Sequence, residues 1–286
     1  MPIPKIIHQI WFQGENKIPP HFLEYQKTWK EKHSNYRYIF WDEKSINKLI
    51  QYINIDWITE TYHGFPLMIQ KIDFAKYLFL YYIGGIYIDM DIECLKSLDN
   101  ILELPNMKNK KFIGTKIIFC IMQSVFFLLS GNLNMGTIVN NGVIMCESKH
   151  KLMWNVIEGV CINKNNIFKN KSNFLYIFYS TGPLMMSDVI IDYMHGYNKL
   201  NDIMLLDSEY FEPLHLHEVK NNTYKKIPSK SIGIHRFNQS WVNNDENTLL
   251  KYVLLIRNNN YAIILFIIGL LLVIHYVMRF TKKIKC

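Results

Sequence analysis

Cysteine is scarce: Cys94, Cys120, Cys146, Cys161 and Cys286 are five residues in 286, and no two stand in CxxC spacing. An odd, unclustered set argues for free thiols in a reducing compartment and against a zinc site. A large excess of one charge is also missing. The 32 Lys+Arg and 24 Asp+Glu residues give +8, and Arg279, Lys282, Lys283 and Lys285 contribute four basic residues at the extreme end. The body is therefore only mildly basic, so the charge does not by itself argue for nucleic acid, and no nucleic-acid partner is expected. Met1-Pro2-Ile3-Pro4-Lys5 lacks the basic region, apolar run and cleavage site of a signal peptide. One stretch lacks charge altogether: Tyr261–Met278 holds no Lys, Arg, Asp or Glu.

What is present is apolar and aromatic, at 49% and 14% of the residues, enough to build a large core. The expected division is an α/β domain over 1–258 and a membrane anchor with a short basic tail over 259–286. The anchor is Tyr261–Phe280, 20 residues that reach ~30 Å as a helix, the thickness of a bilayer's hydrocarbon. Tyr261 and Tyr276 suit its interfaces, and the basic tail suits a headgroup zone. A second apolar segment, Ile117–Ser130, has 14 residues and is too short to span comfortably; it reads as a buried helix, a re-entrant segment or an interfacial helix.

The chain opens on a strand, Lys5–Phe12, followed by a helix from Pro19-Pro20 to about Lys32 and a second strand over Tyr36–Trp41. Strand, helix, strand points to an α/β layer with parallel pairing. Asp42 then reads as the cap of the next helix in preference to a nucleotide contact.

The centre of the sequence is Asp73–Asp91, DFAKYLFLYYIGGIYIDMD. Ile69, Ile72, Lys76, Phe79 and Ile83 recur at helical steps, Gly84-Gly85 ends the helix, and Ile86, Ile88 and Met90 then alternate with Tyr87, Asp89 and Asp91. The alternation predicts a strand through Asp91, one face in the core and the other carrying a ring and two carboxylates. Adjacent carboxylates repel unless a cation or a bound hydroxyl lies between them. Asp-X-Asp thus reads either as a solvated strand end or turn, or as a site for a hard divalent ion such as Mn²⁺ or Mg²⁺.

Taken together, Asp73, Lys76, Gly84-Gly85, Tyr87, Asp89 and Asp91 resemble the core of glycosyltransferase family 32, the DXD sugar-binding transferases. Lys76 departs from the family's arginine, keeping the charge without the planar fork. The resemblance implies a GT-A, Rossmann-like α/β fold that binds a UDP- or GDP-sugar through Mn²⁺ or Mg²⁺. It implies transfer of a hexose, with retention, to a glycan, glycolipid or glycoprotein acceptor; the apolar segment Ile117–Ser130 and the anchor, taken on the cytosolic side, suggest a lipid-linked or membrane-proximal one. On this reading Asp91 binds the metal, Asp89 binds the metal, its water or a ribose hydroxyl, Asp73 and Tyr87 hold the sugar, and Lys76 serves phosphate or sugar oxygens.

Further matches extend the resemblance. Trp11, a core tryptophan when read alone, lies in IPKIIHQIW, similar to the family's opening motif, where its ring would meet the nucleotide base. Asn140 and Asn141 lie in TIVNNGVIMC, where the family places an Asn near the reacting sugar, and Asn141 matches better. Thr181-Gly182-Pro183 resembles a family helix start. In GIHRFNQSW the resemblance makes His235 the third metal ligand, with Arg236, Ser240 and Trp241 on the phosphates and the departing sugar. Two other classes fit the sequence: a non-catalytic, membrane-tethered nucleotide-sugar or glycan-binding protein, and a purely structural membrane protein. The missing signal and scattered thiols place the large domain in the cytosol; the charges after the anchor favour the alternative, the secretory lumen.

Overall fold

The computed structural model describes residues 3–117, 138–166, 168–197, 201–221, 223 and 226–238. Most of the apolar segment Ile117–Ser130, Ser240, Trp241 and the expected anchor Tyr261–Phe280 lie outside them.

Strand β1 (Ile6–Ile10) lies inside the sheet, buried along most of its length. Pro20, its φ already suited to a first helical turn, begins α1 (Pro20–Lys32), which carries the chain to β2 (Arg37–Trp41), parallel to β1 with Ile6 opposite Arg37. Asp42 caps α2 (Glu43–Ile53) in a capping box: its carboxylate accepts from the Ser45 amide at 2.8 Å and its own amide donates to Ser45 Oγ at 2.8 Å. After α3 (Asp56–Gly64) comes α4 (Met68–Tyr82). From Asp73 to Leu80, more than two turns, it is buried on every side.

Gly84 and Gly85 then turn the chain with φ of +76° and +113°. A side chain at either would meet backbone, at 2.6 Å from Ser148 N and 2.7 Å from Ile6 O respectively. The turn sends β3 (Gly85–Ile88) back alongside β1 in parallel.

The remaining strands make the sheet mixed. They are β4 (Ile92–Cys94), β5 (Phe112–Lys116), β6 (Val139–Cys146), β7 (Ile203–Leu206) and β8 (Gly233–His235). The main sheet runs β2-β1-β3-β6-β5-β7, with β6 antiparallel to both β3 and β5. Purely parallel pairing, as the first elements suggest, therefore stops at β3. β4 and β8 form a separate antiparallel pair, Ile92 opposite His235.

Helices α2, α3 and α4, with α6 (Lys151–Asn163) and α8 (Pro183–Tyr197), cover one face of the sheet through Trp41, Phe79, Ile144, Ile157 and Met186. On the other face Trp29 of α1 packs with Ile86, Ile88, Val143, Met145 and Phe211. Two short helices, α5 (Asp99–Leu102) and α7 (Asn173–Ser180), complete the part that frames the site. Among the described residues one stretch, Asn173–Gly196, is long and apolar enough to cross a membrane, yet 56% of its apolar window is buried inside the fold. It is explained as core.

Two features differ from the period-two reading of the central stretch. The strand ends at Ile88, and Asp89-Met90-Asp91 is a turn, with the Ile92 amide donating to Asp89 O at 3.2 Å. Tyr87 is 2% exposed because its face of β3 is covered by α4. Alternation reports which face a residue takes, not whether a helix lies on that face.

Candidate active site

The turn after β3 is held from below. Met90 is buried among Ile18 and Phe22, with Trp11 and Phe40 packed around them, so the apolar residue of Asp-X-Asp anchors the loop and leaves a carboxylate on either side. The Asp89 amide donates to Gly142 O at 2.8 Å, tying the turn to β6, and the Asp89 carboxylate accepts from the Tyr87 hydroxyl. Asp91 accepts from the Asn238 amide at 3.0 Å and faces His235 Nε2 at 3.2 Å.

One turn of α4 supplies the floor. Asp73 and Lys76, three residues apart on one helical face, form an ion pair at 2.6 Å with both side chains almost wholly buried. Asp73 Oδ1 also accepts from Asn141 Nδ2 at 3.2 Å, and Oδ2 from Thr181 Oγ1 at 3.0 Å. Asn141 further donates to the Tyr77 hydroxyl at 3.2 Å, and that hydroxyl donates to Thr181 O at 2.7 Å. The Lys76 ammonium lies 4.9 Å from the Tyr87 ring centre, a cation–π contact linking helix to strand.

The two carboxylates of the turn differ electrically. Burial pushes the Asp89 carboxyl above its ordinary value; the Lys76 charge opposes this and the neighbouring Asp91 adds to it. Burial acts the same way on Asp73, against Lys76. For Asp91 burial is outweighed by the charge and hydrogen bond of His235 and by the Asn238 amide, and the group is held below the usual carboxylate range. His235 rises well above its ordinary value although burial opposes this, because Asp91 and Glu212 face its two nitrogens. Glu212 Oε1 is 2.9 Å from Nδ1.

The fold thus gathers Asp73, Lys76, Tyr87, Asp89 and Asn141 in one contact network, and Asp91 with His235 in another, the two joined by the Asp89–Asp91 turn. Trp11 lies half-buried beside Met90, its ring 4.9 Å from that of Phe22, with Nε1 buried and unpartnered. Arg236 places its guanidinium on Glu93, and its amide donates to Asp91 O at 2.8 Å. Three residues the sequence did not single out belong to the site: Tyr77, Glu212 and Gly142. Glycine at 142 lets the Asp89 carboxylate lie against β6. A tyrosine, a glutamate and a glycine, each without a spacing signature, gave nothing to find them by.

Among the described residues no three His, Cys, Asp or Glu side chains converge on one ion position. Asp91 and His235 are nevertheless a mixed oxygen and nitrogen pair, and an ion bound to nucleoside diphosphate needs few protein donors, because phosphate and water supply the rest.

A model of the glycosyltransferase sugar-binding region containing the DXD motif matches residues 19–107, the part that includes Asp73, Lys76, Tyr87, Asp89 and Asp91. Uncharacterized glycosyltransferase L373 of Acanthamoeba polyphaga mimivirus is 31% identical over 222 residues, 78% of this chain and 78% of that protein. The chain belongs to the DXD-motif glycosyltransferases. As a glycosyltransferase it also resembles inositol phosphoceramide mannosyltransferase 3 of Schizosaccharomyces pombe, at 29% over 65% of this chain and 44% of that one. Mannosyl phosphorylinositol ceramide synthase CSH1 of Saccharomyces cerevisiae is 26% identical over 88% of this chain and 58% of its own length. The chain thus spans about half the length of these fungal relatives. The PaToxG glycosyltransferase structure overlaps 68% of this glycosyltransferase and 71% of its own chain at 15% identity, with a TM-score of 0.47, too low to argue from.

Proposed function

We propose that this glycosyltransferase is a GT-A enzyme that moves a hexose from a UDP- or GDP-sugar to a glycan, glycolipid or glycoprotein acceptor, with retention and with Mn²⁺ or Mg²⁺. The observation that carries the reading is the Asp89-Met90-Asp91 turn, with Asp91 facing His235 and Asp89 standing over the Asp73–Lys76 pair. The fungal relatives named above make mannose the first sugar to test and an inositol phosphoceramide the first acceptor.

Asp91 and His235 would hold the cation, completed by water and diphosphate oxygens. When bound, the ion neutralises charge that develops on the leaving diphosphate. Asp89, fixed by Tyr87 and Gly142, would take a ribose hydroxyl or an ion-bound water. Asp73, Lys76, Tyr87 and Asn141 form the floor under the sugar, their donors and acceptors aligned before substrate arrives; such preorganisation lowers the barrier because nothing has to reorient during reaction. Trp11 would offer its ring face to the base. Arg236, and Ser240 and Trp241 from outside the described residues, would by resemblance serve the phosphates and the departing sugar.

Attachment to a membrane through 261–280, outside the described residues, would suit a lipid-linked acceptor, with the catalytic part on the cytosolic face or, alternatively, in the secretory lumen. The detergent-solubilised full chain, given a panel of UDP- and GDP-sugars with Mn²⁺, should release nucleoside diphosphate from one of them. No release from any sugar with or without inositol phosphoceramide would overturn the reading. Protease digestion of sealed microsomes decides the side.

A further inference from the structure

We infer that Glu212, itself held by Asn140, is a positioning residue that fixes which nitrogen of His235 faces the cation site; the inference rests on the cation reading of Asp91 and His235.

Glu212 follows a short 3-10 turn, Ser208–Tyr210, and its amide donates to Ser208 O at 2.6 Å. It is 3% exposed. Its Oε1 accepts from Asn140 Nδ2 and lies 2.9 Å from His235 Nδ1. Asn140 is fixed in turn, its Oδ1 accepting from the Gly142 amide at 2.6 Å. Gly142 O accepts from the Asp89 amide at 2.8 Å. Hydrogen bonds therefore run from the Asp89 backbone through Gly142, Asn140, Glu212 and His235 to Asp91, and the two residues of that turn close the ring.

Local backbone makes this possible. Between Gly114 and Thr115 of β5 the partner on β6 jumps from Ile144 to Asn140, so Asn141, Gly142 and Val143 bulge out of that ladder. A bulge re-aims side chains beside a site. Here Asn141 reaches Asp73 and Asn140 reaches Glu212. The imidazole is also pinned from one side by the Phe237 ring, at 4.2 Å between centres.

A carboxylate on Nδ1 keeps the proton there and leaves Nε2 as the nitrogen turned to Asp91 and an ion beside it. A histidine without such a partner can present either tautomer and rotate. Glu212 thus acts through His235 and does not itself touch substrate.

The test measures Mn²⁺ binding to the full chain in detergent with GDP present, from the loss of the free-ion EPR signal, with no turnover involved. His235→Ala and Glu212→Ala should each weaken binding, the latter by about 10–100-fold. Glu212→Gln, whose amide oxygen can still accept from Nδ1–H, should stay within about threefold of the parent. If Glu212→Ala binds like the parent while His235→Ala is weakened, Glu212 has no positioning role and the cation reading survives. Equal losses in the Ala and Gln variants would assign the effect to charge and overturn the inference. Parental binding in His235→Ala removes the cation reading and the inference with it. Should Glu212→Ala fail to fold, ¹⁵N-histidine spectra of the parent and Glu212→Gln with Mg²⁺ and GDP decide: an Nδ1–H tautomer of His235 in both is expected, and Nε2–H in the parent overturns the inference.

Discussion

The Asp89 carboxylate lies against Gly142 so closely that a β-carbon there would stand 2.6 Å from Asp89 Oδ2 and 3.0 Å from Asn140 Oδ1. Gly142→Ala must therefore move the DXD carboxylate or the β6 bulge. Displacing a positioned group by about 1 Å can cost on the order of a hundredfold in rate, and that loss is expected in donor hydrolysis. Overpacking should cost about 1–3 kcal/mol of stability. Turnover within about threefold of the parent would show that Asp89 does not depend on this fit.

Asp91→Asn keeps the shape of the side chain but removes the negative charge from Oδ2, the oxygen that both accepts from the Asn238 amide and faces His235 Nε2. Mn²⁺-dependent hydrolysis should fall on the order of a hundredfold or more, as for other single groups that stabilise developing charge, with an unchanged far-ultraviolet circular dichroism spectrum. Unaltered Mn²⁺-dependent turnover would remove Asp91 from the site.

Asp73 and Lys76 form an ion pair with side chains 5% and 2% exposed. Lys76→Met strands the carboxylate in a low-dielectric interior, and breaking a buried pair in this way costs about 3–5 kcal/mol. Asp73→Asn with Lys76→Met should cost less than the two single changes together, with a coupling of at least about 1 kcal/mol in urea unfolding. Strict additivity would mean that Thr181, Asn141 and the Tyr87 ring, not the pair itself, hold these side chains.

Much of this arrangement could be read from residues whose signals are local. Pro20, the Asp42 cap and Gly84-Gly85 set helix ends by their own backbone chemistry, and the structure has each where the sequence put it. The clustering of Asp73, Lys76, Tyr87, Asp89 and Asn141 came from a resemblance and not from spacing, since Asn141 is 52 residues beyond Asp89 in sequence. What was not legible depends on contacts between distant segments. The antiparallel insertion of β6, the departure of β4 from the sheet to pair with β8, and the covering of Tyr87 by α4 all belong to this class. Asn140 and Asn141 show the limit most clearly, because neighbours of the same type, one paired in the ladder and the next in the bulge, serve different networks.

His8, outside the catalytic networks, should control acid stability. It sits on β1 against the ring of Phe79, at 4.7 Å, and beside that of Trp41, at 6.1 Å; Nδ1 accepts from Trp41 Nε1 at 3.0 Å and Nε2 donates to Gly84 O at 2.9 Å. Both nitrogens are used by the neutral ring, and burial lowers its pKa from 6.5 to about 4. The unfolded chain therefore takes up this proton near pH 6.5 while the folded chain refuses it until about pH 4. The resulting stability is fully present above the unfolded value and is lost as pH falls through that window, by about 2 kcal/mol at pH 5. Gln at this position can still accept from one neighbour and donate to another but cannot titrate. The denaturant midpoint of the parent should thus fall relative to that of His8→Gln as pH drops from 7 to 5, whatever their separation at pH 7. Asp91, depressed below the carboxylate range, acts only at lower pH and is common to both proteins, as are the other histidines. Midpoints that fall in parallel would mean that the folded protein admits a charged His8, and that the bond to Gly84, at the turn leading into the DXD strand, survives protonation.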